Sequence, residues 1–256
     1  MPDQPVLSAL DSGVLSLTLN RPEKRNALDD ALIDALLAAL VDASQDGEVR
    51  AILIRAEEPD FCAGADLEAM ERIAGELDPV ANLADAQKLG ELFVYMRRHS
   101  KPIIGAVNGH ALAGGAGLAT ACDLVVARED AVFGYPEINL GFVPAMVMAL
   151  LRRAIGEKKA FELVTRGERI DAGEAARLGL VNRVIAGDDW DEEVTAYAGD
   201  VAGHSKSALS LIKRLLYGMD GLSFEEAIAR GAEVNALARL TPDTRAGLQE
   251  FLEDRR

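Results

Sequence analysis

The sequence predicts an α/β layered core followed by an all-helical C-terminal segment. Three observations carry that expectation. Strand-like and helix-like patterns alternate from Val14 to Ala127. From about Asp188 onward every periodic stretch is helical (189–202, 205–217, 223–240 and 242–253) and dense in charge, with no strand pattern. The chain has 256 residues, 49% hydrophobic and 27% charged, enough to bury a large core without disulfides or a structural metal. The expected division is a core over residues 1–188 and a helical oligomerisation or lid segment over 189–256.

Each element has its own local cause. Val14–Leu19 (VLSLTL) alternates as a strand and is closed by the turn residues Asn20-Arg21-Pro22. Asp29 or Asp30 caps a helix with apolar residues at helical spacing, and Gly47 stops it. Val49–Ile54 is a second apolar strand. Phe61–Leu67 is a turn of small residues leading into Glu68 and Glu71, and residues 75–82 combine Gly, Pro and acids as a loop. A helix over Leu83–His99 precedes a third strand, Ile103–Val107. The run NGHALAGGAGLATACD then feeds a small-residue helix, and Leu124–Ala127 is a further buried strand.

Composition excludes several functions. Lys and Arg total 27 against 42 Asp and Glu, a formal net charge of −15. Such a chain has no general electrostatic grip on nucleic acid or an anionic membrane surface. Cys62 and Cys122 cannot build a disulfide framework, and no CxxC pair offers zinc ligands, so a reducing, cytoplasmic, metal-free setting is expected. Pro102–Cys122 is uncharged and long enough to span a bilayer, but its five glycines, Asn108 and His110 suit tightly packed backbone better.

Common catalytic motifs are missing. There is no GxSxG elbow and no HExxH, and His99, His110 and His204 are far apart in sequence. Gly109–Gly114 has P-loop spacing, but Gly115 and Ala116 stand where Lys and Ser/Thr are required. Gly115–Thr120 half-matches a dinucleotide fingerprint without its third glycine. Two small-residue turns remain, Phe61–Asp66 and Asn108–Gly117, each following an apolar strand. Gly and Ala there expose backbone N–H groups, and the second turn opens a helix whose positive end attracts negative charge. Converging N–H donors would form an oxyanion hole; close packing of helix on sheet explains the glycines equally well. Glu137 is the only acid between Asp130 and Glu157 and sits among aromatic, aliphatic, Gly and Pro residues. Desolvation there would make it a stronger base; the alternative is a surface glutamate paired with Arg152 or Arg153.

Three blocks together resemble the enoyl-CoA hydratase/isomerase (crotonase) superfamily: Asn20-Arg21-Pro22-Glu23-Lys24-Arg25-Asn26-Ala27-Leu28, Phe61–Leu67, and Lys101 through Gly141. The segment from Leu163 to Val181 fits as well. The resemblance implies a spiral of ββα units with a C-terminal α-helical segment, assembled as a homotrimer or homohexamer. It implies a coenzyme A thioester substrate and no separate cofactor, because coenzyme A belongs to the substrate. The thioester oxygen would become an enolate oxygen held by the N–H groups of Ala65 and Gly114. Arg25, Ala27, Ala63, Asp66 and Leu67 match positions lining the coenzyme A path, and Glu137 matches a catalytic glutamate. The family's hydratases usually carry a first glutamate that would fall at Gly117, three residues after Gly114. Its absence favours a Δ3-Δ2 double-bond shift, which needs one carboxylate, over hydration, which needs two groups. Hydration with Glu68 or Glu71 as substitute acid, and a catalytically silent acyl-CoA-binding subunit, are the alternatives. Bulky apolar residues over Gly141–Met148 would suit a dry pocket, and equally a plain helix start.

Overall fold

A computed structural model of the protein describes residues 4–66 and 78–253. A six-stranded sheet has the order β1-β2-β3-β4-β6-β9. Its strands are β1 (Val6–Asp11), β2 (Val14–Leu19), β3 (Ala51–Ala56), β4 (Ile103–Val107), β6 (Leu124–Arg128) and β9 (Arg183–Ile185). The pair β1–β2 is antiparallel and every other neighbouring pair is parallel. A second sheet joins β5 (His110–Leu112), β7 (Val132–Gly134) and β8 (Arg169–Asp171).

Parallel neighbours require crossovers, and helices supply them: α1 (Asp30–Gln45), α2 (Pro79–Arg98), α3 (Gly114–Ala121), α4 (Ala145–Arg166) and α5 (Ala172–Leu178). The chain therefore repeats strand, strand, helix, as in β4-β5-α3 and β6-β7-α4. Isolated parallel bridges Leu28–Ala65 and Cys62–Ala111 continue the inner row of strands through the two small-residue turns. This is the ββα spiral that the resemblance implies.

Both faces of the large sheet are buried, which explains why β3 and β4 read as continuous apolar runs. Ile52, Ile54, Ile103 and Val107 face the main core with Leu32, Leu36 and Leu40 of α1. Their alternates Ala51, Leu53, Ile104 and Ala106 pack with Trp190, Val194, Ala198 and Ala202. Those four residues belong to α6 (Trp190–Gly203), which is followed by α7 (Lys206–Gly218), α8 (Phe224–Ala238) and α9 (Pro242–Glu253). Helix α7 is tied inward by Lys213, whose Nζ donates to Asp123 Oδ2 at 2.6 Å and to the carbonyls of Met96 and Lys101.

Several local expectations change. Residues 6–11, read only as an acidic N-terminus, form β1, turned back by Ser12 and Gly13, both at positive φ. β1 is exposed along five of its six residues, so it carries no burial alternation to read. The strand expected at Val49–Ile54 runs from Ala51 to Ala56, and Arg50 N–H donates to Gly13 O ahead of it. Helix α2 begins at Pro79, inside the expected loop, because the Asp78 side chain caps Val80 N–H. Residues 75–77 of that loop lie outside the described residues. Asp29, not Asp30, caps α1. At the other end of α1, His99 contacts Leu40 O, and Lys101 and Lys206 donate to the terminal carbonyls of Ala43, Asp46 and Gly47. Burial lowers the pKa of His99, which suits its structural place against two backbone carbonyls. The uncharged run Pro102–Cys122 folds as β4, β5 and all of α3, and no described helix is long and apolar enough to cross a membrane.

Candidate active site

The first turn and the segment after β2 lie side by side. Ala63 N–H donates to Arg25 O at 3.0 Å, Leu28 N–H to Gly64 O at 2.7 Å, and Asp66 N–H to Leu28 O at 2.9 Å. Arg25 and Asn26 both adopt left-handed conformations, φ 52° and 53°. Asn26 is fully buried and makes that bend affordable: its Oδ1 accepts Arg21 N–H, and its Nδ2 donates to Glu57 O and Asp60 O. Arg21 clamps the same loop, reaching Ala27 O at 2.5 Å, Asp29 at 3.0 Å and Asp66 at 3.2 Å. Arg25, Ala27, Ala63, Ala65 and Asp66 are thereby brought together. Ala27 and Asp66 are buried, Ala63 and Ala65 half-buried, and the Arg25 side chain exposed. Leu67, Glu68 and Glu71 lie outside the described residues.

Arg25 is fixed from below by Asp60, which takes its Nε at 2.5 Å and also takes His110 Nδ1 at 2.6 Å and His110 N–H at 2.8 Å. Burial alone would raise the Asp60 carboxyl, but the Arg25 and His110 hydrogen bonds outweigh it and hold the group below its ordinary value. Asp60 was not singled out from sequence, because its partners are 35 and 50 residues away.

The second turn meets the first at Gly64. A Cβ on Gly64 would lie 2.9 Å from both Ala113 Cβ and Leu112 O and 3.6 Å from Gly114 N. Its φ of +103° also excludes most side chains. On the other side, a Cβ on Gly114 would sit 3.9 Å from Ala65 N. Two glycines thus let the backbones of Ala65 and Gly114 approach closely. Leu28 takes the neighbouring groups Gly64 O and Asp66 N–H, while the N–H groups of Ala65 and Gly114 have no partner among the described residues. Gly114 is the first residue of α3, where an N–H has no intrahelical acceptor. Two neighbouring amides without a partner among the described residues could stabilise a developing oxyanion if both face it.

Glu137 enters from the third segment. It lies in a single 3₁₀ turn, Pro136–Leu140, three residues past Gly134, whose carbonyl accepts Ala113 N–H at 2.8 Å. Its Oε2 is buried with no hydrogen-bond partner, and burial raises the carboxyl above its ordinary value of 4.5. Arg152 and Arg153, the basic partners considered from sequence, pair with Glu157 and Asp220 instead. A desolvated carboxylate with one oxygen left without a partner is a proton acceptor of increased strength, although a hydrogen bond from its own backbone offsets part of the rise.

The site lacks room for a second acid at residue 117. A Cβ there would lie 2.5 Å from Val147 Cγ2 and 3.1 Å from Phe93 Cζ. Val147 comes from the first turn of α4 and Phe93 from α2; both are buried. The apolar residues around Val147 are evident in the sequence, whereas nothing in it marks Phe93. Beside this plug a groove of about 610 Å³ runs along α2, with Leu83, Ala86, Gly90, Val94 and Met146 in its walls.

Comparison with known proteins agrees with this architecture. A Thermus thermophilus relative, whose name assigns it provisionally to the enoyl-CoA hydratases, is 43% identical over 93% of both chains. The 2,3-dehydroadipyl-CoA hydratase of Escherichia coli is 38% identical, covering 94% of this chain and 93% of its own. The crystal structure of a Mycobacterium smegmatis enoyl-CoA hydratase superposes with a TM-score of 0.93 at 33% identity, over 98% of this chain and 97% of that one. The enoyl-CoA hydratase/isomerase family profile matches residues 9–256, and the chain belongs to that family of acyl-CoA enzymes.

Proposed function

We propose that the protein shifts the double bond of a 3-enoyl-CoA thioester to the 2-position, using Glu137 as its single acid and base. Glu137 takes a proton from C2, the electron pair moves into the thioester carbonyl, and the resulting enolate oxygen accepts from Ala65 and Gly114 N–H. As the carbonyl reforms, the double bond moves from C3–C4 to C2–C3, and Glu137 returns its proton to C4. Each amide donor would contribute roughly 3–4 kcal/mol to the transition state. Arg25, Ala27, Ala63, Asp66 and Leu67 would line the coenzyme A path, and the α2 groove would take the acyl tail. Two observations support this reading: the space at Gly117 is filled by apolar side chains, and Glu137 has a buried oxygen without a partner.

Hydration of a 2-enoyl-CoA is the second reading, favoured by the names of the Thermus and Escherichia relatives. It would require another group to activate water, with Glu68 or Glu71 in that role. Incubating the protein separately with a 3-enoyl-CoA and with crotonyl-CoA distinguishes the readings. The proposal expects rapid isomerisation and slow hydration. Efficient crotonyl-CoA hydration that survives Glu137→Gln would overturn it, and binding without turnover of either substrate would point to a silent acyl-CoA-binding subunit.

A homotrimer or homohexamer in the cytoplasm belongs to the same proposal. The C-terminal helices leave Ile212, Leu216, Phe224, Ile228 and Leu237 exposed, more apolar surface than an isolated chain needs. Light scattering on the purified protein checks the assembly; a monomer would contradict it.

A further inference from the structure

We propose that Ala113 is a positioning residue, whose strained backbone aims the Gly114 N–H and ties it to the segment carrying Glu137. Ala113 has φ 50° and ψ −122°, a region that residues with a side chain rarely adopt. Neither the turn of the chain nor the start of α3 demands an alanine there, since glycine would enter this conformation without strain. The strain is held by contacts on three sides. Ala113 N–H donates to Gly134 O at 2.8 Å, its carbonyl accepts from Gly117 N–H at 2.9 Å, and its methyl packs at Gly64, where an added Cβ would come within 2.9 Å. These contacts join the three segments of the site. Gly64 precedes the Ala65 amide, Gly114 follows Ala113 directly, and Gly134 leads into Glu137. A one-residue rotation at 113 would turn the Gly114 N–H away from Ala65 and loosen the Glu137 turn together.

The inference rests on the oxyanion reading above, but not on the choice between isomerisation and hydration. Its test therefore uses a step common to both, the exchange of α-protons of a saturated acyl-CoA thioester in heavy water. Ala113→Gly removes the methyl contact and the conformational restriction while permitting the same φ. The expected result is a Tm equal to or above wild type, a KM for the thioester within about twofold, and kcat for exchange lowered at least about tenfold, since small misplacement of a catalytic group is costly. Unchanged kcat, or a fall in Tm that accounts for the lost activity, would overturn the role of Ala113. Absence of exchange in the wild type would instead remove the oxyanion reading and this inference with it.

Discussion

The filled space at Gly117 can be tested by stability before any assay of activity. A methyl placed there would sit 2.5 Å from Val147 Cγ2, against an ordinary carbon–carbon contact of about 3.5–4.0 Å. Val147 and Phe93 are 3% and 4% exposed, so neither can swing into solvent. Overpacking of this kind costs about 1–3 kcal/mol. Gly117 is inside α3, where alanine is better than glycine by about 1 kcal/mol. The balance in the wild-type background is a loss of up to about 2 kcal/mol, or a fall in Tm of several degrees. Val147→Ala removes the nearest colliding methyl and leaves the 3.1 Å approach to Phe93 Cζ, so in that background Gly117→Ala should become neutral or stabilising by up to about 1 kcal/mol. Thermal or urea unfolding of the four proteins in the cycle gives the coupling directly, about 1–3 kcal/mol. If Gly117→Ala stabilises both backgrounds equally, the space is open, and the argument against a second acid at that position fails.

Glu137→Gln should lower turnover by about 10²–10⁴-fold while leaving KM near its original value, measured by steady-state isomerisation of a 3-enoyl-CoA. The raised Glu137 pKa predicts that kcat/KM of the wild type climbs along an acid limb centred above 4.5. It also sets a stability trend. The folded carboxyl holds its proton to higher pH than the unfolded one, so stability falls as pH rises from about 4.5 through the folded pKa and is flat above it. Glu137→Gln lacks that loss, so its Tm advantage over wild type should grow between acidic and neutral buffer. Lys213→Ala leaves the partly buried Asp123 beside Tyr217 without its cation and should cost up to about 3 kcal/mol in urea unfolding.

The strands β2, β3, β4 and β6, the helices α1, α2 and α3 and the four C-terminal helices were legible because apolar periodicity is a local property, whereas α4 and α5 were not legible as helices. Ile103–Val107 coincides with its strand residue for residue, since both faces are buried and turn residues bound it. The three-residue strands β5, β7, β8 and β9 escaped, because pairing with distant neighbours rather than their own pattern makes them strands. The small-residue turns could be recognised as places where backbone is exposed, but spacing could not separate ligand contact from close packing. Gly64 against Ala113 joins two loops nearly fifty residues apart, and no periodicity reports such a contact. The same limit applies to Phe93. An aromatic on an amphipathic helix reads as core, and only its place beside residue 117 gives it meaning for the chemistry.

The most direct measurement follows the protons themselves. A 3-enoyl-CoA incubated in heavy water with catalytic amounts of the protein, followed by nuclear magnetic resonance, reports where hydrogen leaves and returns. One carboxylate acting at both carbons predicts 2-enoyl-CoA that retains part of the original C2 hydrogen at C4, with all transfer lost in Glu137→Gln. Full deuterium incorporation at C4 accompanied by rapid 3-hydroxyacyl-CoA formation, or transfer that persists in the variant, would contradict a single-acid site.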